Sequence, residues 1–110
     1  MSLVKKSFKE LTSMTEEVAE RFFAAKRMHY SQDLELLAED ELAITSPSDF
    51  YLQKVEEAYE CLDEREQNLI NNEFFFQNYH YWWIGLYSKT SFYRFKRRAM
   101  LKFLEAFYHA

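Results

Sequence analysis

One glycine, one proline and one cysteine occur among 110 residues. Each scarcity excludes a class of protein. A lone Gly85 cannot build the glycine-rich loop that cradles phosphates or the strained elbow that presents a nucleophile. With Pro47 as the one other chain breaker, the tight turns that punctuate β-sheets are scarce as well. Cys61 has no intramolecular disulfide partner, and no paired Cys/His spacing suggests zinc or redox chemistry. His29, His80 and His109 lie far apart without an HxxxH spacing, so they read as surface or interfacial residues rather than ligands. Long apolar runs are missing too. The densest, Phe74 to Tyr87, covers 14 residues and is interrupted by Gln77, Asn78 and His80, too short and too polar for a bilayer. The N-terminal MSLVKKSFKEL lacks the apolar stretch of a secretory leader. The expectation is a cytoplasmic protein, with no membrane, metal or cofactor and no enzymatic activity.

What is present points to helices. Apolar residues make up 48% of the chain, enough to fill one core, and Leu, Ala, Glu, Lys and Arg recur at helical spacing. Aromatic residues reach 19%, so that core or an interface is built around Phe and Tyr. We expect one all-α domain over residues 1–110 with five or six helices. Charge divides it unevenly. Residues 1–79 hold 8 Lys/Arg against 17 Asp/Glu, a balance of −9, and residues 80–110 hold 6 against 1, a balance of +5. Such asymmetry suggests a basic binding face or a basic element docked on an acidic one.

A first helix is expected over about residues 3–28, with a break near Thr12 to Thr15 and Val18, Ala19, Phe22, Phe23 and Ala25 as its apolar stripe. A second covers about 31–44, with Ser31 as cap and Leu34, Leu37 and Ala38 inward. Ser46-Pro47-Ser48-Asp49 combines a Ser N-cap, Pro at the first helical position and an early acid. It predicts a helix supported by Phe50, Leu52, Val55, Tyr59 and Leu62. Asp63-Glu64-Arg65-Glu66 repeats the capping pattern and opens a helix to about Phe75, with Leu69, Ile70 and Phe74 inward. A short aromatic helix is expected over 78–86, and Ser88 caps the last helix, to about Tyr108.

On that last helix Phe92, Phe95, Ala99, Phe103 and Ala106 share a face, with Arg94, Arg97 and Arg98 opposite. Beyond Ala99 the pattern turns apolar nearly all round through Leu101, Leu104 and Tyr108, and this half needs cover from the N-terminal helices or a partner. A helix, a short helix and a Ser-capped basic helix form the pattern of a C-terminal helix-turn-helix, in which the N-terminal residues of the last helix reach base edges in the major groove. Lys89, Thr90, Ser91 and Arg94 are placed for bases; Lys96, Arg97 and Arg98 are placed for phosphates.

Asp63-Glu64-Arg65-Glu66, then Leu69-Ile70, then the run Tyr87-Ser88-Lys89-Thr90-Ser91-Phe92-Tyr93-Arg94-Phe95-Lys96-Arg97-Arg98-Ala99-Met100-Leu101-Lys102-Phe103-Leu104 resembles region 4 of the sigma-70 family. It is closer still to phage late-gene transcriptional regulators of the ArpU type. The resemblance covers residues 58–108; residues 1–57 form an acidic helical part of unassigned role. It implies a transcriptional regulator that binds double-stranded DNA through a recognition helix capped by Ser88 and packed through Phe92, Phe95 and Ala99. Sigma-like motifs carry a small residue midway along the supporting helix and Gly in the turn. Trp82 and Leu86 stand at those positions here, with Gly85 one place early, so the turn is expected to differ.

Plainer readings compete. A basic face is commonly just solvated, and a +5 segment beside a −9 segment can be neutralised within the fold. Tyr79, Tyr81, Trp82 and Trp83 offer a stacking platform for single-stranded nucleic acid, though anchoring a short helix in the core is the commoner use of such residues. The Glu16-Glu17-Glu20 and Glu39-Asp40-Glu41 clusters read as acidic surface rather than acid/base pairs. The alternative to DNA binding is a helical protein–protein interaction module, or a homodimer, that makes contact through its N-terminal helices and Leu101, Leu104 and Tyr108.

Overall fold

The computed structural model describes residues 3–39, 47–76 and 81–109. Among them the protein is all-α, with four α-helices and no strand: α1 (Phe8–Glu39), α2 (Pro47–Glu60), α3 (Glu64–Ile70) and α4 (Lys89–His109). A 3-10 turn, Leu3–Lys5, precedes α1, and a π-helical turn, Asn71–Phe75, prolongs α3. No helix among the described residues is long and apolar enough to cross a membrane.

The helices expected over 3–28 and 31–44 run together in one continuous α1, which passes through position 31 and is described as far as Glu39; residues 40–44 lie outside the described residues. Its start is set by a capping box. The Ser7 hydroxyl accepts from the Glu10 amide at 3.1 Å, and the Glu10 carboxylate accepts from the Ser7 amide and hydroxyl. Nor does the helix break near Thr12 to Thr15. Thr12 and Thr15 donate their hydroxyls to the carbonyls four residues earlier, of Phe8 at 2.9 Å and Leu11 at 2.8 Å. Each polar group is satisfied by its own helix, so Thr15 is fully buried in a stripe with Leu11, Val18 and Ala25. Phe22 joins the stripe half-buried, whereas Phe23 is turned out.

Pro47 opens α2 as expected; Ser46 lies outside the described residues, as do Asp40, Glu41 and the side chains of Leu34, Leu37, Ala38, His29 and Glu39. Val55, Ala58 and Leu62 are buried, while Phe50, expected inward, is 64% exposed. Tyr51 donates to the Val18 carbonyl at 3.2 Å and meets Phe107 edge-on, joining α2 to α1 and α4. Burial pushes its hydroxyl up to about 12. Asp63 caps α3 through a complete capping box with Glu66, at 2.8 Å in each direction.

The short helix expected over 78–86 is not found in its described part. Residues 77–80, with Tyr79 and His80, lie outside the described residues, and residues 81–87 form turns. The Ile84 amide bonds the Tyr81 carbonyl, and the Leu86 and Tyr87 amides both bond that of Trp83. Gly85 sits at φ 94°, a left-handed conformation that side chains rarely adopt. A helix cannot run through that position. The glycine turns the chain into α4.

One core unites these pieces. Leu11 and Val18 of α1, Val55 of α2, Leu69 and Ile70 of α3, and Phe92, Phe95, Ala99 and Phe103 of α4 all belong to it, as the α4 pattern predicts. Met100, Leu104 and Phe107 join them, which widens the buried stripe of the helix's second half. Leu104 therefore packs in the core and is lost to any contact surface. Leu101 is half-buried, and Tyr108 is 46% exposed.

Candidate nucleic-acid interface

Ser88 caps α4. Its hydroxyl accepts from the Ser91 amide at 3.2 Å and donates to the Ser91 hydroxyl at 3.0 Å, and its carbonyl accepts from the Phe92 amide. The first turn is held down by aromatic packing. The Trp83 ring stacks on Phe92 with centroids 4.5 Å apart and planes within 9°, and Trp82 meets Phe92 edge-on. The two tryptophans are thus core supports, both half-buried, and not an open stacking platform.

The seven candidate contact residues divide in three ways. Lys89, Thr90, Ser91, Arg94 and Arg98 are exposed, and Lys89, Arg94 and Arg98 have no ion-pair partner among the described residues. Lys96 points inward. Its ammonium lies 2.8 Å from the Glu73 carboxylate, with the two side chains only 14% and 13% exposed, and over the Phe74 ring at 5.3 Å. The other oxygen of Glu73 accepts from the Trp82 indole at 3.0 Å. Lys96 is therefore a strut between α4 and the π-helical turn, which removes it from the phosphate contacts expected in the sequence. Arg97 is also engaged: one guanidinium nitrogen donates to the Val4 carbonyl at 2.9 Å and the Lys6 carbonyl at 3.1 Å. Lys102, on the other flank, pairs with the buried Glu66 carboxylate at 2.9 Å, and that bond holds its ammonium above the ordinary lysine range.

Docking of the basic helix on acidic groups is thus real, and among the described residues it involves Lys96 and Lys102. Arg94 and Arg98 stand outside it. The structure adds one cation that the sequence pattern assigns only to a helix start. Arg65 of α3 donates to the Tyr87 hydroxyl at 2.9 Å and lies 5.4 Å from the centroid of the Phe95 ring. Arg98 lies over the same ring at 5.6 Å. Two guanidiniums therefore converge on one aromatic ring with no carboxylate bridging them among the described residues. The bond to Tyr87 raises the Arg65 guanidinium above its ordinary range.

Comparison of the chain with protein-family models, with curated proteins and with solved structures finds no match.

Other sites are poorer. No group of three or more His, Cys, Asp or Glu side chains among the described residues is arranged to hold a metal. Glu16, Glu17 and Glu20 are exposed along α1, with Glu17 paired to Arg21. An open groove of 340 Å³ lies where α1, α2 and the π-helical turn meet, lined chiefly by Phe22, Phe23, Val55, Tyr59, Phe75 and Phe76. It is mainly apolar, with Lys26, Glu56 and Asn71 completing the lining.

Proposed function

We propose that this chain is a DNA-binding transcriptional regulator that meets double-stranded DNA with the first three turns of α4, the role implied by its resemblance to sigma region 4. The observation that carries this reading is the exposed face formed by Thr90, Ser91, Arg94 and Arg98 on a capped, tightly packed helix. An α-helix with its side chains is about 10–12 Å across and fits the major groove, about 12 Å wide. In this reading Arg94 reads a guanine edge, with Lys89, Thr90 and Ser91 in the same first turns, and Arg98 neutralises phosphates. The turn at residues 81–87 replaces the supporting helix of a standard helix-turn-helix, so the approach angle is set by Trp82, Trp83 and the Glu73–Lys96 strut.

Fluorescence anisotropy with a selected duplex tests the reading. Arg94→Ala is expected to cost about 1–3 kcal/mol and to relax the preference for one base pair, whereas Arg98→Ala weakens all sequences alike. An absence of binding even at low salt refutes it. The apolar groove favours the second reading, a protein-interaction module; in that case Phe23→Asp or Phe76→Asp abolishes partner binding and Arg94→Ala does not.

A further inference from the structure

The acidic balance of residues 1–79 conceals three lysines, Lys5, Lys6 and Lys9, which precede the first acidic residue, Glu10. In the fold the segment that carries them is fastened to α4. The two carbonyls that accept from Arg97 belong to Val4 and Lys6, so the chain on either side of Lys5 is fastened to that helix. One turn earlier on α4, Tyr93 meets Phe8 edge-on at 5.5 Å, which fixes the residue preceding Lys9 as well. Lys6 is drawn to Glu10 at 3.6 Å. Lys5 and Lys9 are exposed and have no ion-pair partner among the described residues.

Carbonyls at the end of a short helical turn lack partners within it, and Arg97 supplies them. The nitrogen that makes these two bonds has both hydrogens committed and is not free to grip a phosphate. We infer that Arg97 is a positioning residue that pins the N-terminal turn to α4, and that Lys5 and Lys9 supply a second row of phosphate contacts to double-stranded DNA beside the row led by Arg94. This rests on the reading of α4 as the DNA-contacting helix. It moves one expected phosphate contact from Arg97 to the lysines that Arg97 holds in place.

The test is the salt dependence of duplex binding, measured by anisotropy with circular dichroism confirming the fold of each variant. Each phosphate contact contributes about 0.9 to the slope of log affinity against log salt, so K5Q/K9Q is expected to lower the slope by about 2. If Arg97 is a pin, the triple variant K5Q/K9Q/R97Q has the slope of the double. A further drop of about 1 marks Arg97 as a phosphate ligand and overturns its positioning role. R97K, which can still donate to the carbonyls, is expected to retain the wild-type slope. An unchanged slope in K5Q/K9Q, with wild-type binding intact, overturns the second row while leaving the α4 reading in place. No wild-type binding to DNA, or a preference for phosphatidylserine vesicles over duplex at equal salt, overturns both.

Discussion

The strut between Glu73 and Lys96 gives the sharpest stability prediction. Losing one partner of a fully buried ion pair costs about 3–5 kcal/mol, because the other charge is left without compensation. Here the side chains retain 13% and 14% exposure, and water relieves part of that penalty. Glu73→Gln or Lys96→Met alone is therefore expected to cost about 2–3 kcal/mol. For a chain of this size that lowers the melting temperature by about 10–20 °C. The double variant removes both charges, and the amide oxygen that replaces the Glu73 carboxylate still accepts from the Trp82 indole, whose present bond to Glu73 is 3.0 Å long. It is expected to cost about 2–3 kcal/mol, no more than either single variant, giving a coupling of about 2–3 kcal/mol in the mutant cycle. Urea unfolding followed by far-ultraviolet circular dichroism supplies all four free energies. Single variants within about 0.5 kcal/mol of wild type, with additive effects, refute the argument that this pair is a desolvated strut.

Three further outcomes follow from the structure. Ser88→Ala removes the acceptor for the Ser91 amide; it is expected to cost about 1 kcal/mol and to increase amide exchange across the first turn of α4. Leu104→Ala empties a fully buried site and is expected to cost about 2–5 kcal/mol, measured by thermal unfolding. A cost near zero places Leu104 at the surface. The acid limb of stability carries the signature of the two capping boxes. Asp63 and Glu10 are held below their ordinary values of 3.8 and 4.5, mainly by the bond from the Glu66 amide and the bond from the Ser7 hydroxyl, respectively. A carboxylate lowered by folding stabilises fully above its unfolded value and loses that contribution as pH falls through the folded one. Asp63→Asn keeps a capping side chain but removes the titration, so its unfolding midpoint is expected to fall less steeply than wild type below about pH 4.

The helical class, the start of α2 at Pro47, the capping box at Asp63 and the buried face of α4 were legible because each rests on local spacing. The errors share one cause, which is that tertiary contacts decide what local signals leave open. Thr12 and Thr15 read as a break, yet their hydroxyls turn back to their own helix. Residues 78–86 read as helix because their aromatics are dense, but packing of Trp82 and Trp83 on Phe92 and the left-handed Gly85 make the described part, 81–86, a turn. At the candidate interface, periodicity placed Arg94 and Arg98 outward. It could not show that Glu73 draws Lys96 inward, since the two residues are 23 positions apart. Lys5 and Lys9 were hidden by net charge, which averages a short basic segment into a long acidic one.

The measurement that reaches the central claim most directly is a map of backbone amide shifts as duplex DNA is titrated into labelled protein. The account predicts perturbations concentrated on residues 88–98 and 5–9, fading as salt is raised. Perturbations confined to the groove around Phe23, Val55 and Phe76, or none at low salt, contradict it.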